Sequence, residues 1–281
     1  MIKYFGKIFD DLQNALKPDW LNLDFFLEEN KINSFFKSEN RFAVLIGIDY
    51  LNDKKAKLEG CVLDAYNLRD LLIEKFGFKQ ENIIMIVDDE KSKIKPTKAN
   101  ILNQLKQLVN KTQKNKDSSI FISYSGQGTK IDDKKNKDEV WIPLDYKKGI
   151  ITDEQFRNIF LNKLSGDTNC IILSDTCHSG TFCDCSFYFN NENYLKIKKN
   201  LPNKNANVII ISGCRNKQTL NEVNDGLIQG TMTYSFINSC SSNKDFETLV
   251  KDMNNICRNL KLQQIPSLTC SNKTCAKLNI F

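Results

Sequence analysis

An α/β fold, a mainly parallel sheet with helices on both faces, follows from three features of this 281-residue sequence. Short runs rich in β-formers recur along it and are continuously apolar, as strands buried on both faces require. Between them lie segments with apolar residues at helical spacing. Two of the runs end in glycine-bearing turns, Tyr124-Ser-Gly-Gln-Gly128 and Ser174-Asp-Thr-Cys-His-Ser-Gly180. In sheets of this kind the functional residues occupy loops beyond the carboxyl ends of the strands.

Residues 1–40 read as an N-terminal helical extension, with amphipathic patches over Tyr4–Leu16 and Leu21–Phe36 on either side of the breaker Pro18. Residues 41–281 read as one domain. Phe42–Ile48 predicts the first strand. Asp64–Phe76 predicts a helix with Ala65, Leu68, Leu71 and Leu72 on its apolar face, stopped by Gly77. Ile83–Val87 is the second strand. Pro96-Thr97 opens a helix through Val109, its stripe made by Ile101, Leu102, Leu105 and Leu108. Ser119–Tyr124 is the third strand, and a helix capped near Thr152 and Asp153 runs to Leu164. Cys170–Ser174 and Val208–Ser212 are further strands. Helices over Thr231–Ser239 and Phe246–Leu262 complete the order.

Composition narrows the function. Lys+Arg 40 against Asp+Glu 34 gives a net charge of +6, but the excess is scattered through Lys/Asn-rich stretches such as Lys111–Lys116, Lys134–Lys137 and Lys196–Lys199. Solvated loops, not a nucleic-acid surface, fit that scatter. No stretch has the length and apolarity to span a bilayer, and Asp10-Asp11 directly after a short apolar run is unlike a secretory leader. Ten cysteines without such a leader predict a reducing, cytoplasmic setting with thiols buried as small hydrophobes. Zinc is disfavoured: His178 is the sole histidine, and Cys183-Asp-Cys185 is too tight for paired ligands.

Cys177 carries the chemistry. A free thiol has a pKa of roughly 8.5, so a cysteine nucleophile needs a base that takes its proton and returns it to the leaving amine. Backbone N–H groups in the glycine turns, Gly128 among them, are candidate oxyanion donors. Taken alone, a strand-end cysteine is more often a buried structural residue.

The flanking residues decide between these. Asp175-Thr-Cys177-His178-Ser179-Gly180 resembles the nucleophile segment of metacaspases, whose usual form is Asp-Ser-Cys-His-Ser-Gly. Five further segments resemble the family in the same order. They are Ala43–Tyr50, Leu58-Glu-Gly-Cys61-Val-Leu-Asp64-Ala65, Pro96-Thr97-x-x-Asn100-Ile101, Ser212-Gly-Cys214-x-x-x-Gln218-Thr219 and Thr233-Tyr-Ser-Phe236. The resemblance covers residues 41 to about 240 and implies a caspase-like three-layer sandwich and a cysteine-type endopeptidase cleaving after Arg or Lys.

It also exposes a departure. The family's Tyr-Ser-Gly-His-Gly stands here as Tyr124-Ser125-Gly126-Gln127-Gly128. A carboxamide forms hydrogen bonds but takes up no proton at physiological pH. Losing a general acid–base costs about a hundred- to ten-thousand-fold. His178, adjacent to Cys177 on an extended backbone, is expected to point away from the thiol.

The resemblance further implies a pocket for the basic side chain made by Cys61, Asp64, Ser125 and Asp175, in which two carboxylates would bind a cation through charge-assisted hydrogen bonds. Asp64 equally suits capping of the helix it opens, and Asp175 bracing of the strand end. Asp153 and Asp184 match family calcium positions, yet calcium takes six to eight oxygens and isolated surface aspartates fit better. Calcium is therefore not expected to be required. Self-processing would fall in Lys196–Lys204 and is expected to be absent without a base.

The expectation that results is an impaired metacaspase homologue, monomeric, that binds Arg/Lys-containing segments or regulates an active relative. The alternatives are an active cysteine endopeptidase and a non-catalytic interaction scaffold.

Overall fold

The computed structural model describes residues 34–133, 136–176, 185–189, 194–196, 206–214, 229–241, 244–262 and 264–280. Its eleven strands among these residues are β1 Arg41–Gly47, β2 Ile83–Val87, β3 Ser119–Ser125, β4 Gly128–Asp133, β5 Asn136–Trp141, β6 Ile151–Thr152, β7 Asn169–Asp175, β8 Phe187–Phe189, β9 Tyr194–Lys196, β10 Asn207–Cys214 and β11 Ile265–Cys270. The helices are α1 Cys61–Glu74, α2 Lys98–Lys114, α3 Asp153–Ile159, α4 Thr231–Ser239 and α5 Phe246–Asn259.

The main sheet has the order β2-β1-β3-β7-β10-β11-β8-β9. From β2 to β10 every pairing is parallel, and β11, β8 and β9 add on antiparallel. Because side chains alternate along a strand, each buried strand feeds two cores. Leu45, Phe121, Ile171 and Ile209 face α1, α4 and α5, meeting Leu68, Leu72, Phe236 and Val250. Ile46, Ile122, Ile172 and Ile210 face α2 and α3, meeting Ile101, Leu105 and Phe156. The result is a three-layer α/β sandwich of the caspase-like kind, with the strand exits of β1, β3 and β7 along one rim.

Local chemistry sets the helix starts. The Thr97 side chain accepts the Asn100 N–H at 3.3 Å, Thr152 that of Gln155 at 3.1 Å, and Asp245 that of Thr248 at 2.8 Å. Helix α1 starts differently. It opens at Cys61 after left-handed Gly60, and its first N–H is received at 2.8 Å by Asp49, twelve residues upstream. Gly47 permits this, since a Cβ there would lie 2.3 Å from the Cys61 carbonyl oxygen.

Several expectations are corrected. Lys111–Lys116 is not all loop: α2 continues to Lys114, with Thr112 buried and the Lys111 ammonium over the Phe42 ring at 5.2 Å. A lysine stem lies along apolar surface while its head stays wet, so charge did not mark the helix end. Of the stretch Lys134–Lys137, residues 136 and 137 begin β5 and the other two lie outside the described residues; β5 belongs to a second sheet of order β4-β5-β6 that has no apolar run to announce it. Strands β8, β9 and β11 also went unforeseen. Each of the first two has three residues, and Pro266 within β11 argues against a strand. The predicted helical patches fall outside the described residues except for 34–36, which form a bridge and turn. There Ser34 pairs with Asn279, and Phe35 and Phe36 enter the core beside Phe246 and Phe78.

Candidate active site

Parallel pairing of β3 with β7, in register at Ser125 and Asp175, sets the two glycine-bearing turns side by side. The Gly126 N–H donates to the Asp175 carbonyl at 3.3 Å, and a Cβ on Gly128 would lie 2.9 Å from Thr176. The exits of β3 and β7 are therefore in contact. Cys177, His178 and Asp184 lie outside the described residues, as do residues 197–204 of the stretch expected to be a processing loop.

Residue 127 is held by its backbone. Its N–H donates to the Tyr50 hydroxyl at 3.0 Å, and its carbonyl accepts the Ile142 N–H at 3.1 Å and the Tyr124 hydroxyl at 2.9 Å. Tyr50 in turn donates to the Ile142 carbonyl at 2.5 Å. Tyr50 takes a left-handed backbone (φ 52°), a conformation costly for a bulky side chain and kept only where surroundings enforce it. Tyr124 stacks on Trp141 with centroids 4.4 Å apart and planes 3° apart, and Trp141 Nε1 donates to Ser174 Oγ at 3.3 Å. Burial pushes both phenols upward, so they act as neutral donors and acceptors. The Gln127 side chain has one modest contact, its Nε2 donating to the Ala56 carbonyl at 3.4 Å.

The expected pocket residues come together. Asp64 and Asp175 are 0% and 1% exposed. Ser125 Oγ donates to Asp64 Oδ2 at 2.6 Å, and the Gly230 N–H reaches Asp64 Oδ1 and Oδ2 at 3.0 and 3.2 Å. The Thr233 N–H donates to Asp175 Oδ2 at 2.9 Å. Burial, followed by the like charge of Asp175, raises the Asp64 carboxyl well above its ordinary value, and burial raises Asp175 to about 6. Burial and the neighbouring carboxylates of Asp64 and Asp49 also push up the Cys61 thiol, which stays protonated. Asp64 does not cap α1, since that cap comes from Asp49; Asp175 receives the first turn of α4 instead.

Sequence reading passed over Gly230, Tyr50 and Trp141. A Cβ at 230 would meet Asp175 Oδ2 at 2.4 Å and Asp64 Oδ2 at 2.5 Å, so glycine lets the α4 entry settle on both carboxylates. The signal available was a glycine directly before the Thr231 helix start. Nothing in the sequence pattern singles out Tyr50, whose partner Ile142 lies 92 residues away.

Asp153 is a buried residue, 5% exposed, and not an isolated surface aspartate. Its Oδ2 is paired with Arg157 Nη2 at 3.0 Å, one helical turn on. Among the described residues no group of three His, Cys, Asp or Glu side chains is placed to hold a metal ion. Calcium takes six to eight oxygens, and the one described candidate, Asp153, already holds a guanidinium. The seven described cysteines with assigned environments, from Cys61 to Cys275, are buried. No helix among the described residues is long and apolar enough to cross a membrane.

Fold and site define an α/β protein whose functional loops crowd one rim of a mainly parallel sheet, the arrangement of caspase-like peptidases. The profile of the family described as "Metacaspase, peptidase C14 domain" matches residues 41–186, just over half of the chain, and the chain belongs to the metacaspase family. It is 38% identical over 151 residues to Metacaspase-9 of Arabidopsis thaliana, covering 52% of this chain and 45% of that protein. It is 31% identical over 286 residues to Metacaspase-1 of Cryptococcus neoformans, covering 82% of this chain and 62% of the relative. The chain thus spans less than two thirds of the length of these curated relatives. A solved protein of Geobacter sulfurreducens superposes with a TM-score of 0.59 at 19% identity, covering 85% of this chain and 97% of that one, a likeness of fold.

Proposed function

We propose that this metacaspase homologue binds Arg- and Lys-containing segments without cutting them, because it lacks the base that would activate Cys177. One observation carries the reading. Residue 127, clamped beside the exit of β7, is a glutamine, while the acid pair one strand exit away keeps both carboxylates. A carboxamide has no proton to exchange at neutral pH, whereas two buried carboxylates without an ion-pair partner among the described residues favour a cation. Such a protein acts by occupancy, holding basic segments or pairing with an active relative. The proposed form is a monomer; β8 and β9 extend the sheet beyond β11, so β11 is not its edge strand. No step requires calcium.

Fluorescence anisotropy with an Arg-containing peptide, followed by mass spectrometry of the same sample, tests the reading. Saturable binding with the peptide intact is expected. Cleavage that is absent from a Cys177→Ala control would identify a slow peptidase, and absence of binding would leave an interaction scaffold.

A further inference from the structure

The acid pair is unusual in what surrounds it. Asp64 comes from α1 and Asp175 from the end of β7, yet the Oδ2 atoms of both lie within 2.5 Å of a single point, the site of a Cβ on Gly230. Among the described residues the donors that reach them in a hydrogen bond are neutral: the Ser125 and Thr233 hydroxyls and the Gly230, Met232 and Thr233 N–H groups. Asp175 Oδ1 is buried and has no hydrogen-bond partner among the described residues. Among the described residues, the titratable groups that face the pair bring no positive charge. Asp49 and Cys61 stand on the β1–α1 side, Cys257 faces Asp175 from α5, β3 presents Ser125, and α4 presents the Thr233 side chain and backbone. No Lys or Arg among the described residues forms an ion pair with either carboxyl. The first turn of α4 offers a partial charge of about half a unit, which does not balance two carboxylates.

We propose that Asp64 and Asp175 hold one proton between them at neutral pH, and that a basic side chain enters the pocket by displacing it. This rests on the reading that the pocket takes Arg or Lys. Two carboxylates held this close in a buried place do not ionise together, and the proton leaves as a pair. The upward shifts at both groups agree with that. The exchange balances simply: the singly protonated pair and a cationic side chain give the doubly ionised pair with its cation, and the proton passes to buffer. Asp175 Oδ1 is the oxygen left for the guest. The sign follows. Raised carboxyls are protonated at low pH, so proton and ligand compete there and affinity strengthens as pH rises. Below the pair's upper titration the gain is about tenfold per pH unit for one displaced proton, and above it affinity is flat.

Two measurements on the full chain test this. Infrared difference spectroscopy at pH 7 is expected to show the C=O stretch of a buried protonated carboxyl in the wild type and not in the Asp64→Asn/Asp175→Asn double variant. Calorimetric titration with a peptide whose one charge is an arginine, in two buffers of different ionisation enthalpy at pH 7, is expected to show about one proton released per peptide. Affinity is expected to be about tenfold weaker at pH 6 than at pH 7. A wild type without the band, or affinity unchanged from pH 5 to 7.5, overturns the shared proton. Failure to bind at any pH would sink the pocket's assignment to basic side chains, while the infrared band still decides the proton.

Discussion

Two places on the rim, a few residues apart along β3, have diverged. At residue 127 the backbone is fixed on every side, by Tyr50, Tyr124 and Ile142, while the side chain that would do chemistry has one long contact. At residue 125 the reverse holds: Ser125 donates 2.6 Å to Asp64, and the pocket's side chains are themselves the tightly bonded elements. A scaffold that fixes a position through its backbone tolerates a change of side chain there. One that fixes carboxylates through their own oxygens does not, since removing one partner leaves the other buried and unsatisfied. On the function proposed above, catalysis is lost at 127 while the carboxylates of 64 and 175 are kept for binding.

Substitutions at each place sharpen the contrast. Gln127→His is expected to have the largest effect, raising cleavage of Arg-terminated reporter peptides by about a hundred- to ten-thousand-fold over the parent chain. The Ala56 carbonyl that now receives Gln127 Nε2 would orient an imidazole as well. Gly230→Ala comes next. Its methyl would sit within 2.5 Å of both carboxylates, so a stability loss of about 1–3 kcal/mol is expected in urea unfolding, together with loss of basic-peptide binding.

Asp175→Asn tests the charge alone. Because Asp175 titrates at about 6 in the fold against an ordinary 3.8, its protonated form contributes stability that is full below pH 4 and is lost as pH rises through 6. The neutral amide does not lose it. The variant is expected to gain on the wild type by about 1–2 kcal/mol between pH 4 and 7, read from unfolding midpoints across that range. Tyr50→Phe is expected to cost about 1 kcal/mol and, in the Gln127→His background, to reduce the gain in turnover by loosening residue 127. Calcium is the smallest: with Arg157 on Asp153, millimolar calcium is expected to leave the thermal midpoint unchanged.

How far the sequence revealed this follows the same physics. The buried parallel strands and their helices were readable because apolar continuity and 3.6-residue spacing are local signals; Ile83–Val87 and Thr231–Ser239 match residue for residue. The β4-β5-β6 sheet was not, since its strands pair as near neighbours but carry mostly polar residues, and neither was β11, which pairs with distant β10 and includes Pro266. At the site, motif positions gave Asp64, Ser125 and Asp175. Gly230 acts through backbone approach, signalled only by its place before the Thr231 helix start, and Tyr50 through a contact across 92 residues, which no local pattern encodes. The burial of Asp153 was hidden for the same reason, because its partner Arg157 reads as an ordinary surface pair one turn along a helix.

The most direct test is a turnover assay of the purified wild-type chain on Arg- and Lys-terminated reporter peptides beside Cys177→Ala. The account predicts equal, background rates for the two. Release of product by the wild type that disappears in Cys177→Ala would contradict it.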